Sequence, residues 1–99
     1  MSKKSAQEFV EKFYTNDEFI REFTLKGGLN SKATDEEKQA SVMRVSKEMG
    51  YDFTKEEYDE AGKNFFEGKG VWSAIKIFAH LNKVAKKAEK ERKKNVKHN

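Results

Sequence analysis

Gly50-Tyr51-Asp52-Phe53-Thr54-Lys55-Glu56-Glu57-Tyr58 decides the fold. It reads as the end of one helix, a short connector and the start of the next. Gly50 stands where a helix terminus calls for a residue in the left-handed region. Tyr51, Asp52 and Phe53 are the connector. Thr54 and Glu57 have the spacing of a capping box: the threonine oxygen accepts from the amide of the third helical residue, and the glutamate reaches back to the threonine amide. Tyr58, Ala61, Phe65 and Phe66 follow at helical spacing.

Similar start signals occur upstream. Thr34-Asp35-Glu36-Glu37 is a second box, opening a helix to about Met49 with Ala40, Val42, Met43, Val45 and Met49 on or near one face. Asn16 suits an N-cap, with Asp17 and Glu18 at the positive end of a short helix. Its inner face is Phe19, Ile20 and Phe23, and Gly27-Gly28 ends it. Ser5-Ala6-Gln7-Glu8 also reads as a box, before a helix over about 6–14 striped by Phe9, Val10, Phe13 and Tyr14.

Downstream, Gly68-Lys69-Gly70 breaks the pattern. Residues 71, 74, 75, 78, 81 and 85 then keep an apolar helical stripe, with Trp72, Ile77 and Val84 off it. From Lys86 the chain is almost purely charged, and its last residues are expected to fray. No sustained alternation marks a strand. The expected fold is all-α: a small bundle of four to five short helices with a basic, partly frayed C-terminal helix. The expected division is a helical domain over 1–70 and a cationic amphipathic helix and tail over 71–99. The core should hold Phe9, Phe13, Phe19, Phe23, Val42, Met43, Val45, Phe53, Tyr58 and Phe65.

With 99 residues, 35% hydrophobic and 38% charged, the core is thin. Eight Phe, three Tyr and one Trp compensate, because each aromatic ring buries a large apolar area. There is no Cys, hence no disulfide, thiolate zinc site or thiol nucleophile. No stretch has the ~20 apolar residues that span a bilayer, and Met1-Ser2-Lys3-Lys4-Ser5 lacks the apolar run of a secretory signal. The expected location is cytoplasmic, with possible export of a C-terminal fragment.

Two His and scattered carboxylates give no converging nucleophile, base and orienting group, so the reading is of a non-enzyme without metal or cofactor. Glu56, Glu57, Asp59 and Glu60 read as first-turn acids complementing a helix dipole. Gly68-Lys69-Gly70 lacks the spacing of a phosphate loop. No feature points to a small-molecule substrate or sets an oligomeric state.

Charge is the informative quantity. Residues 1–70 hold twelve Lys/Arg against fifteen Asp/Glu, a balance of −3, and residues 71–99 hold nine against two, a balance of +7. An acidic body carries a basic tail, which calls for an anionic partner. Candidate membrane or anion contacts are Trp72, Ile75, Lys76, Phe78, Lys83, Lys86, Lys87, Lys90, Arg92, Lys93, Lys94 and Lys97. The apolar members suit a headgroup layer. Nucleic acid or an acidic protein is the other partner class, and lysine's excess over arginine favours non-specific phosphate or lipid attraction over base reading.

Ser5-Ala6-Gln7-Glu8-Phe9-Val10-Glu11-Lys12, Asn16-Asp17-Glu18-Phe19 and Met49-Gly50-Tyr51-Asp52-Phe53-Thr54-Lys55-Glu56-Glu57-Tyr58 together resemble the Nif-eleven (nitrogen-fixation-associated) leader domain of ribosomally made peptide precursors. The resemblance covers residues 5–61 and implies a helical leader that a processing or export protein recognises, followed by a core peptide. Its cleavage site would fall at Gly68 and Gly70, where the chain departs from a Gly-Gly pair. The segment after it has no Cys or Thr and only Ser73, so an unmodified cationic, bacteriocin-like peptide is the expected product. The alternative is an intact binding module whose tail contacts nucleic acid or an acidic protein. If residues 71–85 form a fifth helix of the bundle, Trp72 is expected to be buried. If they form a peptide held in waiting, Trp72 is expected to be accessible.

Overall fold

The computed structural model describes the backbone of residues 3–30 and 32–97 and the side chains up to Arg92. Among the described residues five helices follow in order: α1 (Lys3–Thr15), α2 (Asp17–Leu25), α3 (Asp35–Glu48), α4 (Lys55–Phe66) and α5 (Val71–Lys97). No strand occurs among the described residues.

Side-chain caps start three of the helices. At α3, Thr34 Oγ1 accepts from the Glu37 amide and Glu37 Oε1 accepts from the Thr34 amide, both at 3.2 Å. At α4 the same two bonds join Thr54 and Glu57 at 3.1 and 2.8 Å. Asn16 Oδ1 accepts from the Phe19 amide to start α2. Each box satisfies two backbone groups that would otherwise lack a partner. Ser5 differs from its expected role. The helix already includes Lys3, so Ser5 lies inside α1. Lys3 pairs with Glu60 of α4 at 3.4 Å.

Two helices end alike. Gly27 has φ +90° and Gly50 φ +93°. The Gly28 amide reaches the Phe23 carbonyl and the Gly27 amide the Thr24 carbonyl, the paired bonds of a Schellman motif. Gly50 and Tyr51 bond the carbonyls of Lys47 and Ser46 in the same way. The chain leaves α4 through a type II turn: Glu67 is extended, Gly68 has φ +80°, and the Lys69 amide bonds the Phe66 carbonyl.

Phe9 is the hub of the core. It is fully buried, and its ring lies 5.3–6.1 Å from those of Phe13, Phe19, Phe23, Tyr51, Phe53 and Tyr58. Of the expected core, Phe9, Phe13, Phe19, Phe23, Val42, Val45 and Phe53 are buried, while Met43, Tyr58 and Phe65 pack against it half-buried. A second ring cluster joins Tyr14, Phe65, Phe66 and Phe78 at 4.9–5.7 Å. The two buried hydroxyls are satisfied locally, Thr24 donating to the Ile20 carbonyl and Ser46 to that of Met43.

α5 packs mainly on α2 and also on α1. Leu81, Ala85 and Ala88 are its buried residues, with Ile77 and Val84 half-buried beside them. Its 27 residues span about 40 Å at 1.5 Å each, close to the molecule's longest extent of 44 Å. The helix continues through the charged tail to Lys97, and residues 98 and 99, where fraying was expected, lie outside the described residues.

Candidate surface on the last helix

Leu81 defines the inward direction of α5. At about 100° per residue, Ala85, Ala88, Ile77 and Val84 all fall within roughly 60° of it. Trp72, nine residues before Leu81, is turned by about half a revolution and faces outward. It is 79% exposed. This corrects the expectation of a buried Trp72 in a docked fifth helix. The helix is docked, but on the stripe of Ile77, Leu81, Val84, Ala85 and Ala88, so Ile77 and Val84 are inside and Trp72 outside. Ala85 and Ala88, both small, are buried on that stripe.

The same rotation sorts the other candidates. Lys83, Lys86 and Lys90 project within roughly 40° of the Trp72 direction, with Lys76 beside them. All four lysines are exposed. Ile75 is half-exposed on the shoulder of this stripe. Phe78 lies nearer the bundle, where its ring stacks on Phe66 at 5.1 Å and meets Tyr14 edge-on at 5.7 Å. Lys87 sits on the opposite shoulder. Arg92 turns back toward the bundle: a Cβ built on Gly27 would lie 3.5 Å from its Nη2. Lys93, Lys94 and Lys97 belong to α5, but their side chains lie outside the described residues. The outer face thus carries Trp72 at its N-terminal end, with Ile75 on its shoulder, and a lysine stripe behind it; Val71 is exposed on the flank, about 100° from the Trp72 direction. Val71, Trp72, Ile75 and Phe78 are the exposed large hydrophobics among the described residues, and all belong to α5.

Gly68 and Gly70 are exposed, with open space where a side chain would stand. Lys69 between them folds back: its Nζ donates to the Phe65 carbonyl at 2.5 Å and sits 4.2 Å from the Phe65 ring centroid.

Two polar links tie α5 to α2. His80 Nε2 is 2.5 Å from Asp17 Oδ1. Arg21 meets Glu91 through two contacts, which push the guanidinium pKa up and the Glu91 carboxylate pKa down. None of these roles was read from the sequence. Glu91 did carry a signal, as an acid in a run of lysines, but its partner is seventy positions away.

Between α1 and α4 a shallow groove is lined by Val10, Tyr14, Tyr58 and Phe66. Burial raises both phenol pKa values, so these hydroxyls stay protonated and supply no base at neutral pH. No helix of the described residues is long and apolar enough to cross a membrane. Among the described residues no three His, Cys, Asp or Glu side chains gather as a metal would need. Comparison with protein-family models, with curated proteins and with solved structures finds no match.

Proposed function

We propose that the chain is a small helical binding module that works intact, presenting the outer face of α5 to an anionic partner. The observation that carries this reading is the division of α5 into two faces. Leu81, Ala85 and Ala88 are built into the bundle, while Trp72, Lys83, Lys86 and Lys90 share the exposed side. Removing α5 would strip the cover from α2, a large loss for so thin a core. Retention on an anionic matrix in rising salt tests it. Lys83→Glu, Lys86→Glu and Lys90→Glu together should elute well before the wild type. Reversing Lys47, Lys55 and Lys63 on α3 and α4 should shift elution less, although net charge changes equally. Equal shifts for the two triple variants would leave the outer face without a special role.

A second reading has its own observation. The turn at residues 67–70 is exposed throughout and separates every exposed large hydrophobic from the first four helices. That arrangement suits a peptide precursor, with residues 1–70 as a leader bound by a processing or export protein and the segment from Val71 as a cationic product. It accords with the Nif-eleven resemblance. Mass spectrometry of producing cells separates the two. A fragment starting near Val71 favours the precursor, and accumulation of intact chain alone favours the module.

A further inference from the structure

We infer that the anionic partner is a lipid surface, along which α5 lies with its Val71–Ile75 end in the headgroup layer and Lys83, Lys86 and Lys90 against lipid phosphates. The inference rests on the outer face of α5 being the contact surface, and it names what that face touches.

Three observations select lipid. First, the face is mixed in an ordered way. Trp72 is 79% exposed at one end, with exposed Ile75 and Val71 flanking it, and lysines occupy the Trp72 side from Lys83 onward. An anionic bilayer offers both complements at once, apolar depth for an indole and negative charge for ammonium groups. A nucleic-acid backbone matches the lysines but leaves Val71, Trp72 and Ile75 in water. Second, the stripe is long. Trp72 and Lys90 are eighteen residues apart, about 27 Å along the helix. A partner that meets both ends must therefore be extended rather than a small ion. Third, the geometry disfavours a second copy of this chain. Parallel pairing of two α5 helices would set lysine against lysine, and antiparallel pairing would still crowd Lys76, Lys83 and Lys86 of both copies along one seam. The −3 balance of residues 1–70 also works in one direction: an anionic surface repels the body and attracts α5, which orients the molecule as it approaches.

Trp72 is the only tryptophan and therefore reports its own insertion. The full chain is titrated with vesicles of phosphatidylcholine alone and of phosphatidylcholine mixed with phosphatidylglycerol. Expected with the anionic vesicles is a blue shift of emission, protection from acrylamide, and reversal of both in high salt; expected with the zwitterionic ones is little change. Lys83→Glu, Lys86→Glu and Lys90→Glu together should weaken co-sedimentation with anionic vesicles by more than about tenfold. Trp72→Ala, at an exposed site that leaves the circular dichroism unchanged, should weaken it as well. Absence of binding by a folded wild-type chain overturns the inference. If the chain instead binds duplex DNA in a salt-sensitive way through the same lysines, the lipid assignment falls and the anion-binding reading stands. If it binds neither, both fall. A dimer that hides Trp72 and ignores vesicles also overturns the inference.

Discussion

Arg21 and Glu91 clasp each other across seventy positions of sequence, Nε at 3.1 Å from Oε2 and an Nη at 2.6 Å from Oε1. The pair closes the C-terminal half of α5 onto α2. Its planar two-point geometry is what separates it from a casual surface ion pair. Glu91→Gln should therefore leave the fold intact while raising hydrogen exchange along α5 after Leu81. Unchanged protection there would show that Leu81, Ala85 and Ala88 hold the helix alone.

Acid should loosen the same joint. The Arg21 guanidinium holds the Glu91 carboxylate below its ordinary value of 4.5, and bonds from Thr34 do the same for Glu37. Both groups bind protons more weakly in the folded chain than in the unfolded one. Their stabilisation is complete above about 4.5 and is lost as the pH falls through their lowered folded values. In a denaturation series from neutral to acid pH, the double variant Glu37→Gln, Glu91→Gln should lose less stability than the wild type. Parallel curves would contradict the assignment.

Thr54→Ala should destabilise the chain by about 1 kcal/mol, because the Glu57 amide loses its acceptor. Thr54→Ser should keep most of the cap. Urea midpoints decide it, and an alanine variant as stable as the serine one would count against a capping role.

Glycine positions offer a matched pair. A Cβ at Gly28 would sit 2.4 Å from the ring of Phe23, which is itself fully buried. Gly28→Ala should cost about 1–3 kcal/mol, since the ring has no room to retreat. Gly62, inside α4, has open space at the same place. Gly62→Ala should stabilise by about 0.5–1 kcal/mol through helix propensity. Thermal melts of the two variants should move in opposite directions.

The two faces of α5 should respond unequally to truncation. Leu81→Ala removes a buried side chain of the core cluster and should cost about 2–4 kcal/mol. Trp72→Ala should change stability by less than about 0.5 kcal/mol despite deleting the larger group. In the free monomer, Trp72 emission should be water-like and readily quenched by acrylamide.

Caps and glycine stops were legible because their physics is local: Thr34 with Glu37, Thr54 with Glu57 and Gly50 after α3 depend on neighbours a few residues away. The Ser5 box misled because Ser-x-x-Glu also fits inside a helix, and α1 already includes Lys3. The rotation of α5 was illegible for a different reason. Residues 71–78 are apolar nearly all round, so periodicity alone does not name an inner face. Ala85 and Ala88, weak signals as hydrophobes, are buried and so mark the inner face that periodicity alone left open. Once that face is known, the grouping of Trp72 with Lys83, Lys86 and Lys90 follows from helical arithmetic.

The ring of Phe9 touches partners drawn from Phe13 through to Tyr58. A growing chain emerging from the ribosome therefore carries its central aromatic without its full setting until the start of α4 has been made. α1 and α2 can gather Phe13, Phe19 and Phe23 around it early, but Phe53 and Tyr58 close the shell late. Contacts at that sequence separation slow folding relative to a bundle closed by neighbouring helices alone. α5 is made after the other four helices, so the inner face of Leu81, Ala85 and Ala88 is the last to become available for docking.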